Sequence, residues 1–356
     1  MRLLISARRF PPDHLSGAET VIEALWRQAR RGHQVRLVAG YHREAALLPP
    51  EARAVDLRRL PGGLAHLRFA AALTAEARRF HPDVALSNAV EVPPLPVPTA
   101  LIVHDLNFGR ERRRRTARAR ELLYLLQSRR LPLLIAVSEA TRSALIDLGA
   151  PRDRVAVIAN GVDTARFCPP PQPVEPGEEG RTELCYPSRI LPGKGQHLAV
   201  EAVARLSPAL QRRVHLRLVG AAADRGYLSH LRRLSEGLPV SLHPDVQDIV
   251  PWIQRADLVL FPTLMTEGFG YAAVEAMACG RPVIWSDQPA IREATGGLGA
   301  AFPQGDASAL AEAITAWMED PEAARAIGRA GRALTVERYR WDRVWARYEQ
   351  ALSALL

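Results

Sequence analysis

The chain has 356 residues and is poor in lysine, cysteine, aromatic side chains and long apolar runs. No stretch approaches the ~20 consecutive apolar residues of a membrane span. The apolar segment of the opening MRLLISARRF is too short for a secretory signal. Three cysteines, Cys168, Cys185 and Cys279, are scattered without metal-ligand spacing and cannot all pair. That sparsity fits a reducing setting, so a cytoplasmic location is expected. Aromatic residues make up 6% of the chain and are not interleaved with the basic ones, which argues against a nucleic-acid partner. The first strand–helix turn has no Gly-x-Gly-x-x-Gly fingerprint, and Gly-x-x-x-x-Gly-Lys-Ser/Thr is missing throughout. A dinucleotide-dependent dehydrogenase and a P-loop NTPase therefore lose support.

The lysine shortage is itself informative. Of the 47 Lys and Arg residues one is lysine, Lys194, and 46 are arginine, in a chain of formal net charge +9. Where a cation need only be soluble, this chain uses Arg. At 194 it uses a compact ammonium on a flexible stem, which a guanidinium fork does not replace. The densest Arg run, Arg110–Arg120, reads as a solvated basic face. It also suits an anionic or lipid-linked acceptor, or peripheral contact with the inner membrane face.

At this length two domains are expected, and 47% hydrophobic residues supply two cores. Arg2–Ser6, a helix over Thr20–Arg31 and Gln34–Ala39 open the chain as β-α-β, the start of a doubly wound parallel sheet. Strands near Arg53–Leu57, Val84–Ser87, Ala100–Val103, Leu133–Val137 and Val155–Ile158 continue it. The stretch CPPPQPVEPGEEGR, Cys168–Arg181, is dense in proline, glycine and charge and reads as a linker. The predicted organisation is a first Rossmann-like domain over 1–167, a linker over 168–181 and a second Rossmann-like domain over 182–338. A terminal amphipathic helix over about 339–355 is expected to pack back on the first.

The most telling stretch is TEGFGYAAVEAMACGRPVIWSD, Thr266–Asp287. A short apolar run, Asp257–Phe261, precedes it as a buried strand. Gly268 and Gly270 flank Phe269 in a loop whose backbone can approach a ligand closely. Helix formers run from Tyr271 to Cys279, and Gly280 with Pro282 ends them. The helix start offers unpaired N–H groups and a partial positive charge, a natural seat for phosphate. Glu267 and Glu275, with seven residues between them, bracket that seat. Carboxylates there suit sugar or ribose hydroxyls. Arg189 and Lys194 occupy one loop, SRILPGKG, after the first strand of the second half, and Gly220 closes a later strand. Both loops follow strand C-termini, where ligands of such sheets bind, as does His104 after Ala100–Val103. Two cations and a helix N-terminus suit a diphosphate, and two carboxylates suit hydroxyls. The sum describes a nucleotide sugar better than ATP.

Taken together, Ser16-Gly17-Ala18-Glu19, His104-Asp105, VSEATRSALIDLG, VIANGVD, SRILPGKG and EGFGYAAVEAMACGRPVI resemble, in order, the retaining glycosyltransferases of family 4 (group 1). The last segment matches the family's pattern of two glutamates with seven residues between. The resemblance implies an α/β GT-B fold, two Rossmann-like doubly wound parallel-sheet domains facing across a cleft. It implies a hexosyltransferase that moves sugar from a nucleoside-diphosphate sugar to an acceptor hydroxyl with retention and without a metal or other cofactor. By the same resemblance Glu267 holds the donor sugar and Glu275 the ribose. Arg189 and Lys194 stabilise the leaving diphosphate. Phe269, Gly270, Tyr271 and Gly220 fall among the donor-binding positions, Gly17 approaches the diphosphate, and His104 lies near the donor sugar. No Asp-x-Asp occurs, so the metal-dependent glycosyltransferases of the other common fold find no support. Two departures stand out: Ser16-Gly17 replaces the two glycines of many members, and His243-Pro244 stands where a glycine is common near the base pocket. A sugar-nucleotide 2-epimerase and a non-catalytic nucleotide-sugar-binding protein remain as alternatives. Nucleotide, acceptor and oligomeric state are left unassigned.

Overall fold

A computed structural model of the chain describes residues 1–11, 17–106, 115–172 and 180–356, without the side chains of 62 and 115–121. Two compact units are present, Met1–Gly161 with Trp341–Leu356, and Val162–Arg340.

Unit 1 is built on a seven-stranded sheet. Its strands are β1 (Arg2–Ala7), β2 (Gln34–Tyr41), β3 (Arg53–Asp56), β4 (Val84–Ser87), β5 (Thr99–Val103), β6 (Leu133–Ala136) and β7 (Val155–Val157). All neighbours are parallel, in the order β3-β2-β1-β4-β5-β6-β7. Helices cover both faces of such a sheet, so its strands are continuous apolar runs. Leu3, Leu4 and Ile5 of β1, and Val84 and Leu86 of β4, are fully buried. The strand order reverses between β1 and β4. In an open α/β sheet that reversal is where a ligand crevice forms.

Unit 2 repeats the plan with β8 (Thr182–Pro187), β9 (Val214–Gly220), β10 (Val240–Pro244), β11 (Leu258–Phe261), β12 (Val283–Ser286) and β13 (Ala300–Phe302). The order is β10-β9-β8-β11-β12-β13, again all parallel. Its reversal falls between β8 and β11. The sequence reading omitted β13, the helix Pro289–Thr295 and the short helix Pro208–Gln211. Each is too short to carry a readable hydrophobic period.

The boundary between units differs from the predicted one at 167. Proline and glycine density pointed to 168–181, but the chain enters unit 2 at Val162. The Val162 N–H donates to the Tyr339 carbonyl at 2.7 Å. One Arg332 guanidinium donates to the carbonyls of Thr164, Phe167 and Ala278 at 3.1, 2.9 and 2.7 Å, and Phe167 is buried. At the other end unit 2 stops at Arg340, not at 338. The helix after Pro321 continues to Arg338, and the terminal helix spans Trp341–Ser353 rather than 339–355.

That terminal helix belongs to unit 1. It packs along the helix Gly17–Ala29 and buries Val344, Trp345, Tyr348 and Leu352, its one apolar stripe. Glu349 meets His33 Nε2 at 2.7 Å, and Arg347 donates to the Val157 carbonyl at 2.8 Å. Gly161 lies beneath the Trp341 ring, where a Cβ would come within 2.5 Å.

Candidate functional site

The two loops leaving β8 and β11 meet at the reversal point of unit 2. The β8 loop turns through Pro192–Lys194 into the helix Gln196–Arg205, and the β11 loop runs from Pro262 to Gly270 into the helix Tyr271–Ala278. Backbone bonds pin them together. The N–H groups of Leu264 and Met265 both donate to the Gly193 carbonyl, at 2.9 and 3.0 Å. Gly195 is left-handed, with φ of 74°, and a Cβ there would lie 2.1 Å from the Pro262 carbonyl oxygen. Only glycine permits that approach.

Across this junction Lys194 Nζ lies 2.7 Å from Glu267 Oε1. The side chains are 14% and 15% exposed, so the pair is mostly shielded from water. Thr263 Oγ1 donates to the same Oε1 at 2.9 Å. The Glu267 N–H donates to Gln288 Oε1 at 3.0 Å, and Gln288 Nε2 donates to the carbonyls of Met265 and Thr263 at 2.9 and 3.3 Å. Tyr186, fully buried, donates its hydroxyl to the Lys194 carbonyl at 2.6 Å. The ammonium thus spends one of its three donors on Glu267, and no hydrogen bond to Oε2 occurs among the described residues. Each partner keeps capacity for a ligand. The direct Lys194–Glu267 contact refines the separate roles that the resemblance implies for them. Gln288, buried and at the N-cap of Pro289–Thr295, escaped the sequence reading because nothing in its local pattern distinguishes it.

Arg189 sits on the same β8 loop, exposed, its side chain unpartnered among the described residues, while Gln196 Nε2 holds its carbonyl at 2.8 Å. Gly220 ends β9 with φ of 142°, and a Cβ would lie 2.3 Å from the Ser188 carbonyl oxygen. It lets the ends of β8 and β9 close on one another. Gly270, with φ of 92°, turns the chain into its helix. The buried Phe269 ring meets Tyr271 and Tyr339 edge-on, both at 5.3 Å. Tyr271 and Glu275 share a helix face, being four residues apart. Burial pushes the Glu275 carboxyl up to about 8, opposed by Arg166. At the end of β10, His243 packs on Trp252 at 4.2 Å and meets Ser241 Oγ at 2.9 Å. Burial, then Arg217 and His215, hold its imidazole below the usual range.

His104 and Gly17 belong to unit 1. Gly17 opens the helix Gly17–Ala29, and Ser16 beside it lies outside the described residues. His104 lines a cavity of about 540 Å³ at the β1–β4 reversal. The cavity is mixed in charge: Arg8 and Arg9 follow β1, Glu91 and Asn88 follow β4, and Asp105 follows His104. Arg8 contacts His66, whose Nε2 is 3.3 Å from Glu91 Oε1. Interleaved carboxylates and guanidiniums of this kind suit a hydroxyl-rich guest. Burial holds the His104 imidazole down to about 4, opposed by Glu19, so the ring is neutral at neutral pH. Its Nε2 is buried without a hydrogen-bond partner. A buried ring nitrogen without a partner is uncommon, since buried polar groups are as a rule hydrogen-bonded. The run Arg110–Arg120 lies outside the described backbone or side chains, and no described helix is long and apolar enough to cross a membrane.

Comparison with known proteins agrees with this architecture. A model described as Glycosyltransferase Family 4 matches residues 15–166, and one described as Glycosyl transferases group 1 matches 181–320. The chain belongs to the group 1, family 4 glycosyltransferases, and its two parallel-sheet domains are those of the GT-B fold. It is 28% identical over 277 residues to the glycogen synthase of Mycobacterium tuberculosis, which covers 74% of this chain and 64% of that protein. It is 29% identical over 236 residues to the GDP-mannose-dependent alpha-(1-6)-phosphatidylinositol monomannoside mannosyltransferase of Mycolicibacterium smegmatis, 61% of either chain. The chain therefore spans under two thirds of the length of these relatives. Among solved structures, Anabaena HepE in complex with UDP and glucose matches over 100% of both chains, with a TM-score of 0.81 and 23% identity.

Proposed function

We propose that the chain transfers a hexosyl group from a nucleoside-diphosphate sugar to an acceptor hydroxyl, with retention and without a metal. The observation that carries this reading is the Lys194–Glu267 contact at the β8–β11 reversal, beside Arg189 and the helix start at Gly270. In the proposed step the acceptor oxygen bonds to the anomeric carbon on the face from which the diphosphate departs. The bond from that carbon to the phosphate oxygen breaks and its electron pair stays on the diphosphate. The acceptor proton passes to a phosphate oxygen. Lys194 and Arg189 stabilise the charge that develops there, and the fixed, shielded ammonium of Lys194 does this with little reorganisation. Glu267 accepts from sugar hydroxyls through Oε2, and Glu275 engages the ribose. Phe269, Gly270, Tyr271 and Gly220 shape the donor seat, and Gly17 approaches the diphosphate. The neutral His104 bonds a sugar hydroxyl, and the unit 1 cavity receives a hydroxyl-rich acceptor. The names of the relatives support a hexosyl donor, and they differ in nucleotide.

A thermal-shift panel of UDP, GDP and ADP, then their glucose and mannose derivatives, tests the donor. A ligand bound only by the folded chain at 100 times its Kd stabilises it by about 2.7 kcal/mol. One nucleotide series should raise the melting temperature, and its sugar should be transferred once a polyol acceptor is added. No shift with any of the three diphosphates would refute the reading. Conversion of the donor to an epimer in the absence of any acceptor would favour the epimerase instead.

Glu275 adds a pH signature. Burial pushes its folded pKa up to about 8, above the usual carboxylate range, so the fold favours the protonated acid. The associated stability is present below the unfolded value and is lost as pH rises through 8. Wild type should therefore lose thermal stability between pH 5 and 9 relative to Glu275→Gln. If the carboxylate form accepts from ribose hydroxyls, nucleotide affinity should rise with pH up to about 8, by at most about tenfold per pH unit. That rise should vanish in Glu275→Gln. Parallel curves for the two proteins would remove Glu275 from the nucleotide site.

A further inference from the structure

The opposite end of the unit 2 sheet holds a second cavity, of about 660 Å³. It lies at the strand N-termini: Thr182 begins β8, Arg213 precedes β9, Asp257 precedes β11, and Arg281 and Pro282 precede β12. Strand β8 is six residues long, so this end is roughly 17–20 Å from the Lys194 loop at ~3.3 Å per residue. The two places cannot share one diphosphate.

Among the described residues five arginines line this cavity, Arg181, Arg213, Arg255, Arg281 and Arg325, against one carboxylate, Asp257. Arg325 is paired with Glu322 on its own helix. Asp257 attracts Arg281 and also accepts from the Glu183 N–H at 2.9 Å. Arg281 donates one group to the Gln254 carbonyl, and its Nε is buried with no hydrogen-bond partner. The exposed side chains of Arg213 and Arg255 have no hydrogen bond or ion pair among the described residues. A half-buried guanidinium with a buried, unsatisfied Nε is costly unless a counter-charge meets it. Arg213 and Arg255, unpaired among the described residues, line the same cavity, each a fork that matches phosphate oxygens. Trp317, half-buried, forms part of the wall.

We propose that this cavity binds a small anion carrying several phosphate groups, at a site separate from the donor site. The inference holds whether or not the donor reading above is correct. Arg213, Arg255 and Arg281 would hold the phosphates, and Trp317 would sense their arrival. The site is drawn from described residues alone, and residues 173–179 lie outside them.

The test uses the full chain and sodium triphosphate, read by tryptophan fluorescence against sodium chloride of equal ionic strength. A saturable change is expected that disappears in Trp317→Phe. The half-saturation concentration should rise roughly tenfold or more in the Arg213→Gln/Arg255→Gln variant, because hydrogen bonds to charged groups are the stronger kind. Both substitutions are at exposed positions, so the fold should persist. Lys194→Met should leave the change intact. A change that survives Arg213→Gln/Arg255→Gln but is lost in Lys194→Met would assign triphosphate to the donor loops and overturn the proposal. So would a change that equal ionic strength reproduces. A third variant replaces Glu175, Glu178 and Glu179 with Ser. If only that variant responds, the chain's own acids supply the counter-charge and the proposal also fails.

Discussion

Replacing Lys194 with Met is expected to cut the transfer rate by roughly 10²–10³-fold, the loss typical of removing one preorganised group that stabilises developing charge. The fold should tolerate the change, because Glu267 keeps its bond from Thr263 and its backbone bond to Gln288. A shift in melting temperature of a few degrees is the expected scale. Lys194→Arg separates charge from shape. The ammonium sits 2.7 Å from Glu267 Oε1 and 5.8 Å from the Phe261 ring centre, in a space where both side chains are mostly covered. A guanidinium is wider and planar and presents its donors in a fixed fork. Lys194→Arg should therefore recover little of the rate although the charge is retained. Turnover under saturating donor decides the matter. Rates within a few-fold of wild type for Lys194→Met would remove the residue from the reaction.

Gly195→Ala should be the most damaging single-methyl change in this region. The residue has φ of 74°, and an added Cβ would lie 2.1 Å from the Pro262 carbonyl oxygen. A left-handed alanine alone costs about 1–2 kcal/mol. The clash is with backbone, which cannot swing aside as a side chain can. Relief requires the β8 and β11 loops to part, which breaks the bonds from Leu264 and Met265 to the Gly193 carbonyl. A total of ~3 kcal/mol or more is expected, or roughly 6–12 °C in the melting of unit 2 at ~2–4 °C per kcal/mol. Transfer should fall with it, because the parted loops carry Lys194 and Glu267. Gly193→Ala provides the contrast. Its Cβ would meet Met265 Cγ at 2.7 Å, a flexible thioether chain that can turn away. If the two variants melted together well above the expected drop, the close approach at Gly195 would not be what holds the loops.

Much of this architecture was legible in the chain because its signals are local. Apolar runs of four to six residues alternate with helical stripes, so two doubly wound halves follow from periodicity. Gly195, Gly270 and Gly280 stand at turns that do take positive φ. Lys194 drew notice as the one lysine of the chain. Other features depended on neighbours far along the chain. Val162–Cys168 carries no signature of belonging to unit 2, since that follows from Arg332 more than 160 positions away. Gln288 holds the Glu267 backbone only because β12 lies beside β11. His104 looked like a residue at a strand end, and its buried, unpartnered Nε2 emerges only once the cavity closes around it.

The segment Thr266–Asp287 carries in its own sequence the marks of a glycine turn, a helix and a strand. Its residues specify that through propensity, capping and the freedom of glycine, all interactions of short range. Nothing in it states that Glu267 will touch Lys194, 73 positions earlier. That contact exists because β8 and β11 became neighbours at the point where strand order reverses. Strand order is chosen by burial of whole faces against helices and by the handedness of the crossovers, which are properties of the assembled sheet. The chemical groups were therefore readable one by one, and their meeting was the outcome of packing.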